Sequence, residues 1–205
     1  MERKIVNADL TETFGAAEIN TLIRDRRTIY PEQYSDREVP REIMEQILTN
    51  ATWAPTHGKT QPWRFKVYSG EGRNILLENV RKLYMECTPE ADFSTHKLAR
   101  FEKRILSTSV LVLLVMRRTE NTRIPLYEEL AAVAAASQNI LLTASANGVG
   151  SFWSSPKFLY TPQANRTFGL KEDDVIQGLL YFGYTDADLP KGQRKPIEEV
   201  TEWID

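Results

Sequence analysis

One cysteine and two histidines among 205 residues leave little material for the commoner kinds of catalytic centre. Cys87 alone excludes an internal disulfide and any site built from several thiolates. His57 and His96 stand far apart, with neither His-Glu-x-x-His nor facial-triad spacing, so they do not make a metal site. No Gly-x-Ser-x-Gly elbow is present and Cys87 has no assignable acid or base partner, which removes the nucleophile readings. Walker and Gly-x-Gly-x-x-Gly loops are also missing. "GVGS" (148–151) keeps two of those glycines, but it follows a helical pattern rather than a strand.

Strong charge of one sign is missing too. Lys and Arg number 26 against 28 Asp and Glu, a net charge of −2, so there is no basic excess to expect on a nucleic-acid binder. The longest apolar run, "VLVLLVM" (110–116), is far too short to span a bilayer and reads as a buried strand. "MERKIVNADLTETFGAAEI" at the N-terminus has no apolar core of a secretory leader. These gaps make the expectation a reduced, cytoplasmic protein without a membrane partner. What remains is ordinary globular composition, 41% hydrophobic and 26% charged, in a length suited to one domain with an appended arm.

The periodicities place the elements. Ile19, Leu22, Ile23 and Arg26 share helical spacing over 14–27, and Pro31 marks Tyr30 as a stop. Pro40 sits at a favoured first-turn position for a helix whose stripe is Ile43, Met44, Ile47, Leu48 and Ala51. A strand follows to Tyr68, then charged helices over about 70–86 and 94–108, then the 109–116 strand. From Leu126 to Ala146 the chain is alanine-rich and uncharged after Glu129. A helix apolar nearly all round is buried on every side, at the centre of the protein or in a subunit interface. Gly148 supplies its stop. "GSFWSS" (150–155) is a short strand or loop, a helix spans about 162–168, and "VIQGLLYFGY" (175–184) is the last strand. Beyond Tyr184 the chain is polar and punctuated by Pro and Gly, yet it ends in Val200, Trp203 and Ile204. We therefore divide it into a domain, 1–184, and an extension, 185–205, expected to dock on a partner subunit.

Three stretches carry candidate chemistry. Arg26, Arg27 and Thr28 gather two cations and a hydroxyl at a helix end. That placement suits the helix dipole alone, and equally a phosphate, whose oxygens guanidinium forks match bidentately. Lys191, Arg194 and Lys195 form a second basic group in the tail, either solvated or functional. "ATWAPTHGKTQPWRFKVY" (51–68) puts Thr56, His57, Gly58, Lys59 and Gln61 between Pro55 and Pro62. That is more hydrogen-bonding capacity than a turn requires.

Their order resembles the flavin-dependent nitroreductase family. The family opens with a helix ending in Arg-Arg-Ser, here "RDRRTIY". A helix then leads to an Ala-Pro-Ser…Gln-Pro-Trp-like loop, here "APTHGKTQPWRF". A buried helix with a Gln-Asn-Leu-Leu-Leu-like core follows, here "SQNILLTASANGVG", and "GSFWSS" and "KGQRKP" complete the pattern. The match runs from about residue 20 to 196. It implies an α+β fold, a mixed sheet flanked by helices and assembled as an intertwined homodimer, with FMN held between subunits.

By the resemblance, Arg26, Arg27, Thr28, Arg194 and, with less support, Lys195 hold the phosphate and ribityl end. Thr56, His57, Gly58, Lys59 and Gln61 line the ring from the other subunit, and Trp153, Ser154 and Ser155 lie near its N5 and O4. The family commonly has asparagine where this chain has Lys59, and an ammonium only donates. The implied activity is ping-pong oxidation of NADH or NADPH, with hydride passing through flavin N5 to a nitroaromatic, quinone or similar acceptor. No side chain is required as a nucleophile. A non-catalytic FMN sensor or carrier, or a dehalogenase-like flavoenzyme, remains open. Lid residues are expected within 84–104 or 117–128, with Tyr84, Phe93, Phe101 and Tyr127 as pocket walls or core.

Overall fold

A computed structural model describes residues 15–120 and 123–205. The first 14 residues of the domain, and Asn121 and Thr122 of the 117–128 stretch, lie outside the described residues. The described part is a sheet covered by helices on both faces. Its helices are α1 (Ala16–Asp25), α2 (Arg41–Ala51), α3 (Gly72–Cys87), α4 (Thr95–Leu106), α5 (Leu126–Ala146) and α6 (Pro162–Thr167). Its strands are β1 (Trp63–Ser69), β2 (Val110–Met116), β3 (Gly150–Ser154) and β4 (Val175–Gly183), in the spatial order β1-β2-β4-β3. Every pairing among these strands is antiparallel. The parallel component of the expected mixed sheet is confined to one bridge, Thr28 to Ser151, on the outer edge of β3.

Burial explains why β2 does not alternate. All seven of its residues are buried, because helices cover both faces of a central strand. Val110, Val112, Leu114 and Met116 pack with α2 and α5, against Ile47, Val133, Ala136 and Ile140. Leu111, Leu113 and Val115 face the other way, toward Leu76, Leu83 and Ile105 of α3 and α4. The α2 stripe is buried at Met44, Ile47 and Ala51 as its spacing predicts. By contrast, no residue of α1 is buried, and Ile19 and Ile23 stay exposed.

One irregularity shapes the sheet near the site. Between Leu114 and Val115 the β2–β4 register shifts, and Gln177 is the extra residue. Gly178, at φ 146°, continues the bulge; a Cβ there would lie 2.4 Å from Trp153 Nε1. Glycine is required at this position both for the backbone angle and for the space.

Candidate functional site

The end of α1 and the tail are joined through Arg27, and the charge of Arg194 reaches Arg26. Burial holds the Arg26 guanidinium below its ordinary pKa, and the nearby positive charges of Arg194 and Arg27 push it the same way. Helix α1 delivers Arg26 and Arg27 at its C-terminal end. The chain then turns onto β3, where Ile29 N donates to Ser151 O at 3.0 Å. Arg27 reaches the tail, with Nε donating to Pro190 O at 2.8 Å. Among the described residues no ion pair to a carboxylate is found for Arg26, Arg27 or Arg194. Lys195 differs: its Nζ pairs with Glu199 at 3.2 Å, so its charge is already answered within the tail.

Trp153, Ser154 and Ser155 continue from the Thr28 bridge. At about 3.3 Å per residue, Ser154 lies roughly 10 Å along β3 from Ser151. The bulge fixes this end. Trp153 Nε1 donates to Gln177 O at 3.1 Å, and Gln177 Nε2 donates to Leu130 O at 2.9 Å. The strand edge therefore offers half-exposed Ser154 and exposed Trp153 and Ser155 beside the cationic end.

The proline-flanked loop is internally braced. Thr56 and Thr60 share a hydroxyl hydrogen bond at 3.0 Å, and Gln61 N donates to Thr56 Oγ1 at 3.3 Å. A single 3-10 turn, His57–Lys59, fills the middle. Gly58 (φ 59°), Lys59 (φ 55°) and Gln61 (φ 46°) all adopt left-handed backbone. For the two non-glycine residues this costs on the order of 1–3 kcal/mol each, which only a constrained segment sustains. His57 Nδ1 lies 2.5 Å from Glu128 Oε2, which ties the loop to the first turn of α5. His57, Gly58, Lys59 and Gln61 are exposed and Thr56 is half-buried.

Within one protomer the loop and the arginines are not brought together. Glu128 anchors the loop at the start of α5, whereas Asp25, next to Arg26, lines a hollow with Ser145 at its end. The helical rise separates these two turns by roughly 25 Å.

Other charged groups near the start of α5 are paired within the chain, while Arg117 Nε, Glu129 Oε1 and Asp174 Oδ1 are buried without a hydrogen bond among the described residues. Glu129, 1% exposed, accepts from Arg118 Nη1, while Arg118 Nη2 donates to Ile124 O at 2.7 Å. Burial pushes the Glu129 carboxyl up, but hydrogen bonds from Thr119 and Arg118 outweigh it and leave the group below the usual carboxylate range. Asp174, 3% exposed, lies 3.5 Å from Arg117 Nε and accepts from Lys171 N at 3.0 Å.

The expected pocket walls divide in two. Tyr84 is buried, with ring centroids 5.3 Å from Phe93, 5.8 Å from Phe101 and 5.9 Å from Phe158; Tyr84 is core, Phe101 packs against it, and Phe93 stays exposed. Tyr127 is exposed on the first turn of α5. A cleft of about 670 Å³ between residues 159–166 and 170–176 contains none of the predicted site residues. His96 is exposed on α4, and no group of three or more His, Cys, Asp or Glu among the described residues could hold a metal ion. Sequence reasoning missed Glu128, Gln177, Pro190 and Gly192. Only Glu128, an acid in the first turn of a helix, carried a readable local signal.

Comparison with known proteins bears on this geometry. Residues 23–184 match the Nitroreductase family. YfhC of Bacillus subtilis (strain 168), which carries the name NAD(P)H nitroreductase, is 29% identical over 182 residues, 88% of this chain and 91% of that protein. The crystal structure of a nitroreductase-like family protein from Bacillus cereus superposes with a TM-score of 0.77 at 32% identity, covering 91% of this chain and 96% of the other. The fold is shared further with the FMN-dependent nitroreductase NfnB of Mycobacterium smegmatis in complex with NADPH. There the TM-score is 0.68 at 20% identity, over 96% of this chain and all of that one (100%).

Proposed function

This chain belongs to the nitroreductase family, and we propose that it is an FMN-dependent oxidoreductase that passes electrons from NADH or NADPH to an electron-poor organic acceptor such as a quinone or nitroaromatic. The observation that carries the reading is the arginine cluster. Burial and the positive charge of Arg194 both disfavour the Arg26 guanidinium's charge, and no carboxylate among the described residues pairs with either arginine. Such a group is poorly placed alone and well placed around a phosphoryl dianion. Charge-assisted hydrogen bonds to it are worth about 1.5–3 kcal/mol each. YfhC, by its name, and NfnB, by its complex, support the same cofactor and donor classes.

In this reading Arg26, Arg194 and the Thr28 hydroxyl bind the phosphoryl end, and Arg27, bonded to Pro190 O, holds the tail beside them. Trp153, Ser154 and Ser155 flank the ring edge, held in register by the Gln177 bulge. Thr56, His57, Gly58, Lys59 and Gln61 of a second copy present fixed donors to the ring. We assign that loop to a second copy because the chain's own loop stands at the far end of α5. The helix supports a homodimer: its outward positions Tyr127, Ala131, Ala134 and Gln138 are exposed and uncharged. The tail gives the same indication, since nothing among the described residues covers Trp203 (84% exposed) or Ile204 (90%).

When bound, FMN supplies the hydride chemistry, accepting from the reduced nicotinamide and donating to the acceptor in successive half-reactions at one face. The protein's part is to hold, orient and polarise. The test begins with denaturing the purified protein and identifying the released chromophore. NADH and NADPH oxidation is then followed with a quinone or nitroaromatic acceptor, expecting FMN and turnover with at least one donor. A colourless protein that takes up no added FMN refutes the assignment. Bound FMN with neither donor oxidised would make it a flavin carrier instead.

A further inference from the structure

Arg27 spends its donors in a way that phosphate binding alone does not explain. Its Nε donates to Pro190 O at 2.8 Å, and its Nη1 donates to Arg26 O at 2.9 Å and to Arg24 O. One guanidinium thus ties the end of α1 to a segment more than 160 positions later in the chain. Gly192 lies flat against it: a Cβ there would meet Nη2 at 2.3 Å and Cζ at 2.6 Å. The guanidinium is the free end of a flexible side chain and can turn aside, but only by giving up those carbonyls. Two residues beyond Gly192 stands Arg194, whose charge acts on Arg26.

We propose that Arg27 is a positioning residue. It clasps residues 190–194 onto the end of α1 so that Arg194 joins Arg26, and closing this strap and capturing a phosphoryl group form one coupled equilibrium. The proposal rests on the phosphoryl reading of the cluster given above. Closing the strap brings like charges together, which opposes closure until an anion lies between them. A ligand bound only by the closed form draws the strap shut by mass action. The open form presents one arginine instead of two and binds the ligand more weakly by the same factor.

Trypsin reports the strap directly, because Lys191 and Arg194 lie in it. In the full-length protein stripped of flavin, mass spectrometry of the C-terminal fragment should show rapid cutting after these residues. FMN should slow the cutting tenfold or more, millimolar inorganic phosphate should slow it partly, and riboflavin, which lacks the phosphoryl group, should not slow it. Gly192→Ala alters no charge, yet it should remove most of the protection and weaken FMN binding about tenfold by fluorescence titration. Arg27→Lys keeps the charge but cannot span the three carbonyls, and should behave likewise.

FMN binding in Gly192→Ala and Arg27→Lys as tight as in the parent, with equal protection, would overturn the clasp. So would a parent that binds FMN with no change in cutting. A parent that binds no FMN would instead refute the phosphoryl reading, and the released-chromophore experiment identifies that case independently.

Discussion

Two sets of arginines in this molecule face opposite conditions. Arg118 meets buried Glu129, and Arg117 lies beside buried Asp174; each positive charge has a carboxylate within the same chain. Arg26, Arg27 and Arg194 have no carboxylate partner among the described residues, and burial, joined by the positive charges of Arg194 and Arg27, lowers the pKa of Arg26. The first arrangement holds the fold together, since a buried carboxylate left without its cation is costly. In the second, Arg27 joins the end of α1 to the tail through main-chain carbonyls, but like charges are held near one another without a carboxylate, an arrangement that suits the anion proposed above. Charge answered internally belongs to the structure; the unanswered cluster is the site we propose for a ligand.

That contrast predicts a double dissociation. The largest effect is expected from Arg118→Ala, which strands Glu129 in the interior. Urea unfolding should show a loss of about 3 kcal/mol, while the folded fraction still binds FMN. Next is Arg26→Ala, which should weaken FMN by roughly 10- to 100-fold, corresponding to about 1.5–3 kcal/mol, in a fluorescence titration. Its flavin-free unfolding midpoint should hold or rise as repulsion is relieved. If Arg118→Ala lost FMN without losing stability, or Arg26→Ala unfolded the protein, the distinction would fail.

A smaller effect should appear with pH. The folded Glu129 carboxyl sits below its ordinary value of 4.5, so its contribution to stability is complete above that value and is lost as pH falls through the lower folded one. Unfolding midpoints measured from pH 6 to pH 3 should decline less steeply in Glu129→Gln than in the parent. Smallest of all is Arg41→Ala. This residue pairs with Glu45 at 2.7 Å on the open surface of α2, and the unfolding midpoint should not move.

Much of this fold is legible in the sequence because its elements obey one rule each. The unbroken apolar run 110–116 is a strand buried on both faces, and the stretch 126–146, uncharged after Glu129, is one long helix ending before Gly148, at φ 67°. The convergence of Arg26 and Arg194 follows from the resemblance and not from local pattern, since nothing in either segment encodes the other. The Gln177 bulge was not legible. A register shift depends on how two strands meet, and the single glycine at 178 reads equally well as a packing choice. The clasp at Gly192 was hidden for a similar reason. Glycine in a polar tail signals flexibility, whereas here it makes room for a guanidinium 165 positions earlier in the chain.

The left-handed backbone at Lys59 also bears on the one clear departure from the family pattern. Asparagine enters that conformation far more readily than lysine. The amide that the resemblance places at this position therefore suits the direction in which the main chain must bend, independently of any atom it would meet across the proposed dimer. Exchanging Lys59 for asparagine should make the segment easier to form even in a preparation that has never held a chromophore. A side chain placed as if for its partner would then owe its position to the peptide geometry beneath it.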